Sequence, residues 1–298
     1  MTRKKKIKTN KKRRQNSKKT KVKQKYCSPR NNNNFTCFNK NAIIKMLESW
    51  NNFYENNKID YSEKDSLKSL WSKLDKKLKN VCNDEYCWTK QSFIKKEPDI
   101  VEAFRPEMPS KWKENKNEWL TTLDIEAVMK QYENKYRNFI FIGPVPIDFD
   151  KKLHPGFCVI NELCNINLKR LIKNGKNKIG VIFNLDPHDK PGSHWVAMFA
   201  DFDKENKVYY FDSYGYKEPE EVTKLMSRLK EQAEELNKQC SIHVNTVRHQ
   251  YKNSECGVYS MNFIIKLLEG KSFSDVTNNI VYDDNMEQNR NKLFIKYF

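Results

Sequence analysis

Two apolar runs set close together constrain this chain most. Residues 194–203 read HWVAMFADFD and residues 207–213 read KVYYFDS. Both are rich in aromatic and other apolar side chains, and the polar residues at 203–206 separate them, so they form the two arms of a β-hairpin. His194 opens the first arm and Asp212 closes the second. Their midpoint, residue 203, falls at the turn, so antiparallel pairing brings both side chains to one end of a sheet. An acid beside a histidine fixes the imidazole tautomer and stabilises the imidazolium. Such a pair also occurs on plain surfaces, and only what converges on it gives it meaning.

The rest of the chain mixes both element types. FIFIGPVPIDF at 139–149 is an apolar strand interrupted by Gly143, Pro144 and Pro146. IGVIFNL at 179–185 reads as a buried strand, and SIHVNTVRH at 241–249 as a further one. Helical spacing marks residues 118–132, the charged amphipathic stretch 218–238, and a run from Cys256 to Leu268 that stops at Gly270. The class is therefore α+β or α/β. Ahead of this lie two amphipathic helical stretches, residues 37–57 and 63–81, then Cys87, Trp88, Phe93 and Ile94. They make a small N-terminal helical domain over 31–110, closed by Pro106 and Pro109, with a core domain over 111–298.

Charge is concentrated at one end. Of 56 Lys and Arg in 298 residues, fifteen fall in residues 1–30, where there is no acid. The remainder carries 41 basic against 38 acidic residues, so the net +18 belongs mainly to this stretch. With almost nothing apolar to bury, residues 1–30 are expected to be a disordered basic arm. It serves either nuclear localisation and phosphate binding on nucleic acid or plain solubility. No run approaches the roughly 20 apolar residues of a membrane span, so no membrane partner is expected.

Eight cysteines are scattered without a secretory signal, which predicts a reducing setting and mostly free thiols. Cys82 and Cys87 flank four residues, and Cys158 and Cys164 flank five, without a second pair or a His pair at zinc spacing. No metal is expected. Cys256 has a different setting. It begins a helical run, where the helix dipole and free N–H groups favour a thiolate, and a buried core thiol is the plainer alternative. Gly257, next to it, would let a substrate backbone approach closely. Gln250 lies six residues upstream, where its amide could donate to a developing oxyanion alongside the Cys256 N–H. The turn-prone residues 251–255, Asn253 among them, would fold the loop over the thiolate.

Taken in order, His194-Trp195, Asp212 in Phe-Asp-Ser, and Gln250 before Cys256-Gly257 resemble the Ulp/adenain clan of cysteine proteases. EWLTTLDIEAVMKQY with FIGPVPIDF is similar to the opening of the core in its large-DNA-virus branch, the African swine fever virus protease type. FTCFNKNAIIKMLESWN and EYCWTKQSF resemble that branch's N-terminal extension. One departure is Glu255, where clan members often carry Asp.

The resemblance implies an α+β fold, a central mixed sheet flanked by helices. It also implies a cysteine endopeptidase with catalytic His194, Asp212, Gln250 and Cys256 and no cofactor. Trp195, Gly257 and Asn253 would contact substrate, with Trp195 walling a narrow channel. Such channels favour cleavage after Gly-Gly or similar small pairs, as in polyprotein processing during virion maturation. That role places the enzyme in the virion and host cytoplasm, with the nucleus open through the arm. The alternative within the same chemistry is a protease that removes SUMO or other ubiquitin-like proteins. An acetyltransferase with the same residue layout and a nucleic-acid-binding structural protein are the readings from other classes.

Overall fold

The computed structural model describes residues 26–31 and 35–296. Most of the basic arm, and its readings as a disordered or nucleic-acid-binding segment, lie outside the described residues. Its last residues, 26–30, correct the expected boundary. The Ser28 N–H donates to Ala103 and the Arg105 N–H to Tyr26, each at 2.9 Å, and Cys27 is buried. Tyr26 and Cys27 supply the apolar surface that the preceding lysines lack.

Four helices follow: α1 (Lys40–Phe53), α2 (Leu67–Leu78), α3 (Glu85–Trp88) and α4 (Pro98–Val101). The Asn39, Ser66 and Asp84 side chains cap the first three by accepting backbone N–H groups. The buried faces, Ile43, Met46 and Leu47 on α1 and Leu70, Leu74 and Leu78 on α2, meet in one apolar cluster. Spacing of three and four residues puts each set on one stripe. The cluster draws its last member, Ile295, from the far end of the chain. There the Ile295 N–H donates to Pro106 at 2.7 Å and its carbonyl accepts from Met108 at 2.9 Å.

The remaining elements are α5 (Thr122–Lys135), β1 (Phe139–Phe141), β2 (Val145–Pro146), β3 (Lys152–His154), β4 (Phe157–Cys158), α6 (Asn161–Cys164), α7 (Leu168–Lys173), β5 (Lys178–Asn184), β6 (Trp195–Asp201), β7 (Lys207–Phe211), α8 (Glu220–Glu235), β8 (Ser241–Val244), α9 (Cys256–Leu268), α10 (Phe273–Asn278) and α11 (Asp283–Leu293). The main sheet runs β1-β5-β6-β7-β8, with β2 also on β5. It is mixed: β5, β6 and β7 are antiparallel neighbours, while β1, β2 and β8 join parallel. The expected single strand over 139–149 is split into β1 and β2, and the Gly143–Pro144 peptide between them is cis. A Cβ on Gly143 would also sit 3.2 Å from the Ile182 carbonyl. The strand expected over 241–249 ends at Val244.

Alternation along β6 sorts the core into two layers. Trp195, Ala197 and Phe199 face a cluster with α5, α9 and α11, and Val196, Met198 and Ala200 face one with α8. α9 is almost wholly buried, as its mainly apolar sequence dictates, with Asn262 and Lys266 on the less buried side, and Phe263 stacks on Phe211 at 4.8 Å. Such a pair contributes about 0.5–1.5 kcal/mol beyond its area.

The expectation of mostly free thiols is corrected. Disulfides join Cys27–Cys37, Cys82–Cys87 and Cys158–Cys164, leaving Cys240 and Cys256 free. The Cα atoms of the pairs lie 5.0, 5.4 and 6.3 Å apart, within bridging range.

Candidate active site

The hairpin register differs slightly from the reading by midpoint. Ala197 opposes Phe211 and Asp201 opposes Lys207, which continued outward sets His194 opposite Tyr214. Asp212 therefore reaches His194 on the diagonal, still on the same face. The His194 Nε2 and Asp212 Oδ1 are 2.8 Å apart, and the Tyr214 ring lies against the imidazole, its centroid 4.9 Å away. A carboxylate accepts, so Nε2 donates in this bond and Nδ1 is the ring nitrogen left for another partner.

Cys256 lies close enough to His194 to act on its titration. Burial lowers the imidazole pKa, but the hydrogen bond to Asp212, the neighbouring Cys256 and the charges of both outweigh it and raise it to about 9. Cys256 is the first residue of α9 and is buried, with no side chain capping the helix start. The unspent N–H groups of that first turn surround the sulfur's end of the helix.

Asp212 is held from several sides. Its Oδ1 accepts from the Tyr214 N–H at 2.8 Å, and its carbonyl from Asn245 Nδ2 at 2.9 Å. Gln250 is completely buried, and its Oε1 accepts from the Ser213 hydroxyl at 2.7 Å. The Ser213 carbonyl accepts the N–H groups of His249 and Gln250 at 2.8 and 2.9 Å. One Nε2 hydrogen of Gln250 goes to the Lys252 carbonyl at 2.7 Å, which leaves the amide a second hydrogen to donate. Asp283 grips the loop between Gln250 and Cys256, accepting from the N–H groups of Tyr251 and Lys252 at 2.9 and 3.1 Å.

Beside these residues lies a cleft of about 450 Å³, lined by Trp119, Leu120, Pro144, Pro146, Asn184, Gly192 and Trp195 among others. Trp195 is buried, with Nε1 donating to the Leu120 carbonyl at 3.1 Å, while Trp119 is exposed at the cleft. Gly257 requires a correction. A Cβ there would stand 3.0 Å from Leu120 Cδ1 and 3.2 Å from Trp195 Cδ1. Its missing side chain admits the protein's own cleft wall rather than a substrate backbone. Asn253 is exposed in the preceding loop and does not line the cleft.

Ser213, Asn245 and Tyr214 were missed by the sequence reading. Only Ser213 left a signal, as the last residue of Phe-Asp-Ser; the others act through backbone contacts that no spacing rule encodes. Glu255, noted only as a departure, is buried and ion-paired with Arg290.

An imidazole held by a carboxylate beside a thiol at a helix start is the arrangement of a thiol hydrolase. A family model for the Ulp1 protease family, C-terminal catalytic domain, matches residues 169–297. The chain is 35% identical over 294 residues to a putative thiol protease of Acanthamoeba polyphaga mimivirus, covering 90% of this chain and 92% of that protein. It is 28% identical over 253 residues to a cysteine protease of African swine fever virus, covering 80% and 92%. The selenomethionine crystal structure of the African swine fever virus protease shares the fold, with a TM-score of 0.64 at 22% identity, covering 92% of this chain and 96% of that one. The chain belongs to the Ulp1 family of cysteine proteases.

Proposed function

We propose that this protease works through a His194–Asp212–Cys256 triad with Gln250 at the oxyanion, and cuts polypeptides after Gly-Gly or similar small pairs. The observation that carries the triad is the 2.8 Å bond between His194 and Asp212, on an imidazole whose titration Cys256 also shifts. The Cys256 thiolate attacks the scissile carbonyl carbon, and the carbonyl π pair moves to oxygen. The second Nε2 hydrogen of Gln250 and the Cys256 N–H donate to that oxygen. Collapse of the tetrahedral species expels the amine, which takes the imidazolium proton from His194. The neutral imidazole then removes a proton from water as it attacks the thioester, and the thiol departs with the free acid as product. Asp212 holds the ring in one tautomer throughout.

A cleft bounded by Trp119, Trp195 and prolines supports small residues at the cleavage site, since a side chain there would meet ring faces. The viral relatives support maturation of structural polyproteins. The virion and host cytoplasm are the setting that such a role would require. Residues 26–110 are read as a helical domain and 111–298 as the protease core, which the separate apolar cluster of α1–α4 supports. The basic residues 1–25 are read as an arm that binds nucleic acid or directs the chain to the nucleus. The second reading, removal of SUMO or ubiquitin-like proteins, is favoured by the family match and by African swine fever virus relatives named SUMO-1 cysteine protease. Gly-Gly-Xaa peptides, a candidate viral polyprotein and SUMO conjugates, offered side by side, decide. Fast release of free SUMO with an intact polyprotein would overturn the maturation reading.

A further inference from the structure

Arg290 on α11 has a place that the triad does not explain. It is buried, and its guanidinium touches two separate segments. On one side Nε donates to Glu255 Oε2 at 3.0 Å, while Nη2 lies 3.0 Å from Oε1 and donates to the Ser254 carbonyl at 3.4 Å. These are the two residues directly before the nucleophile. On the other side Nη1 donates to the carbonyls of Glu118 at 2.7 Å and Lys116 at 3.3 Å. That segment continues as Trp119 and Leu120, which line the cleft, and Leu120 is in turn tied to Trp195. The Trp112 ring, its centroid 4.5 Å away, covers the guanidinium.

We propose that Arg290 is a positioning residue that sets the distance between the Cys256 loop and the cleft wall, so that one side chain registers nucleophile and bound substrate against each other. The geometry requires arginine. Only a planar fork with five donors reaches a carboxylate and three carbonyls on two sides. A lysine at the same place keeps the charge for Glu255 but cannot span to residue 118. Glu255, being buried, keeps a counter-charge only while Arg290 is present, which ties the two residues into one unit.

This inference rests on the thiol protease reading, and its test separates the two. In a Cys240→Ala background, two rates are measured for wild type, Arg290→Lys and Glu255→Gln. One is alkylation of Cys256 by iodoacetamide, followed on the Cys256 peptide by mass spectrometry; it reads the nucleophile without the cleft. The other is turnover of a Gly-Gly-aminomethylcoumarin peptide, with active sites titrated. Arg290→Lys should raise KM roughly tenfold, with kcat taken per titrated site, the scale on which a displaced positioning contact shows. Glu255→Gln should slow alkylation and lower kcat with KM near wild type. Equal KM in Arg290→Lys, or a loss accounted for wholly by fewer titrated sites at unchanged KM, overturns the proposal. Should the wild type turn over no Gly-Gly peptide, the cleavage-site reading has failed, and KM is then taken on whichever polypeptide the wild type does cleave. Unaltered alkylation in Glu255→Gln overturns the nucleophile half by itself.

Discussion

The Ser213 hydroxyl donates to Gln250 Oε1 at 2.7 Å, and this bond ties the proposed oxyanion amide to the residue beside Asp212. The amide of Gln250 is thereby turned so that Nε2 faces the nucleophile loop. Ser213→Ala leaves the buried Oε1 without its donor, a loss of about 1–3 kcal/mol. We expect kcat to fall roughly tenfold for Ser213→Ala and by roughly 10²–10³ for Gln250→Ala, measured by steady-state kinetics. Wild-type kcat in Gln250→Ala would remove it from the oxyanion site.

Cys256→Ala and His194→Ala should each abolish turnover, while Cys240→Ala should leave it intact. Cys240 is buried against the α8 layer, in a cluster separate from Cys256. Peptide cleavage and thioester trapping check this directly.

The pH dependence follows from His194. Its pKa is raised from 6.5 to about 9, so the folded protein holds that proton up to about pH 9 and the unfolded chain loses it near 6.5. The resulting stabilisation is complete below about pH 6.5 and is lost as pH rises through about 9. The thiolate–imidazolium pair needs the same proton, so kcat/KM should decline above about pH 9. Asp212→Asn removes the neighbouring anion and should move that limb to lower pH. An unmoved limb in a kcat/KM profile would contradict Asp212 as the cause.

Gly257→Ala places a methyl group 3.0–3.2 Å from Leu120 and Trp195. Overpacking of this kind costs about 1–3 kcal/mol. Because the strained contact is the cleft wall, KM should rise along with a fall in Tm. A lower Tm with unchanged KM would mean that the wall yields elsewhere.

The Cys27–Cys37 bridge closes a ten-residue separation and fastens residues 26–31 to the N-terminal cluster. Loop entropy sets its contribution at about 2–3 kcal/mol. Replacing both cysteines by serine should lower Tm while triad chemistry persists, read by thermal melts beside peptide turnover.

The hairpin and α9 were legible because each is governed by local periodicity: alternation in β6, helical spacing from Cys256 onward. Legibility failed where long-range geometry decides. The two-residue offset between His194 and its nominal partner depends on the register of the ladder, not on the count to the turn. The cysteine pairs were misread because separations of five to ten residues do not say whether the turn between them brings the Cα atoms together. Gly257 was assigned to the right place for the wrong reason, since the wall that occupies its empty side comes from Leu120, far away in sequence. Tyr251 and Lys252 gave no hint of Asp283, because a backbone N–H bound to a distant carboxylate leaves no mark on local pattern.

Ile295 completes the apolar cluster of α1–α4 although it lies far from those helices in sequence. Five residues before it, Arg290 braces the nucleophile loop. The same short segment thus closes the N-terminal cluster and holds the loop before Cys256, so whatever loosens the first helices is transmitted to the geometry of the nucleophile.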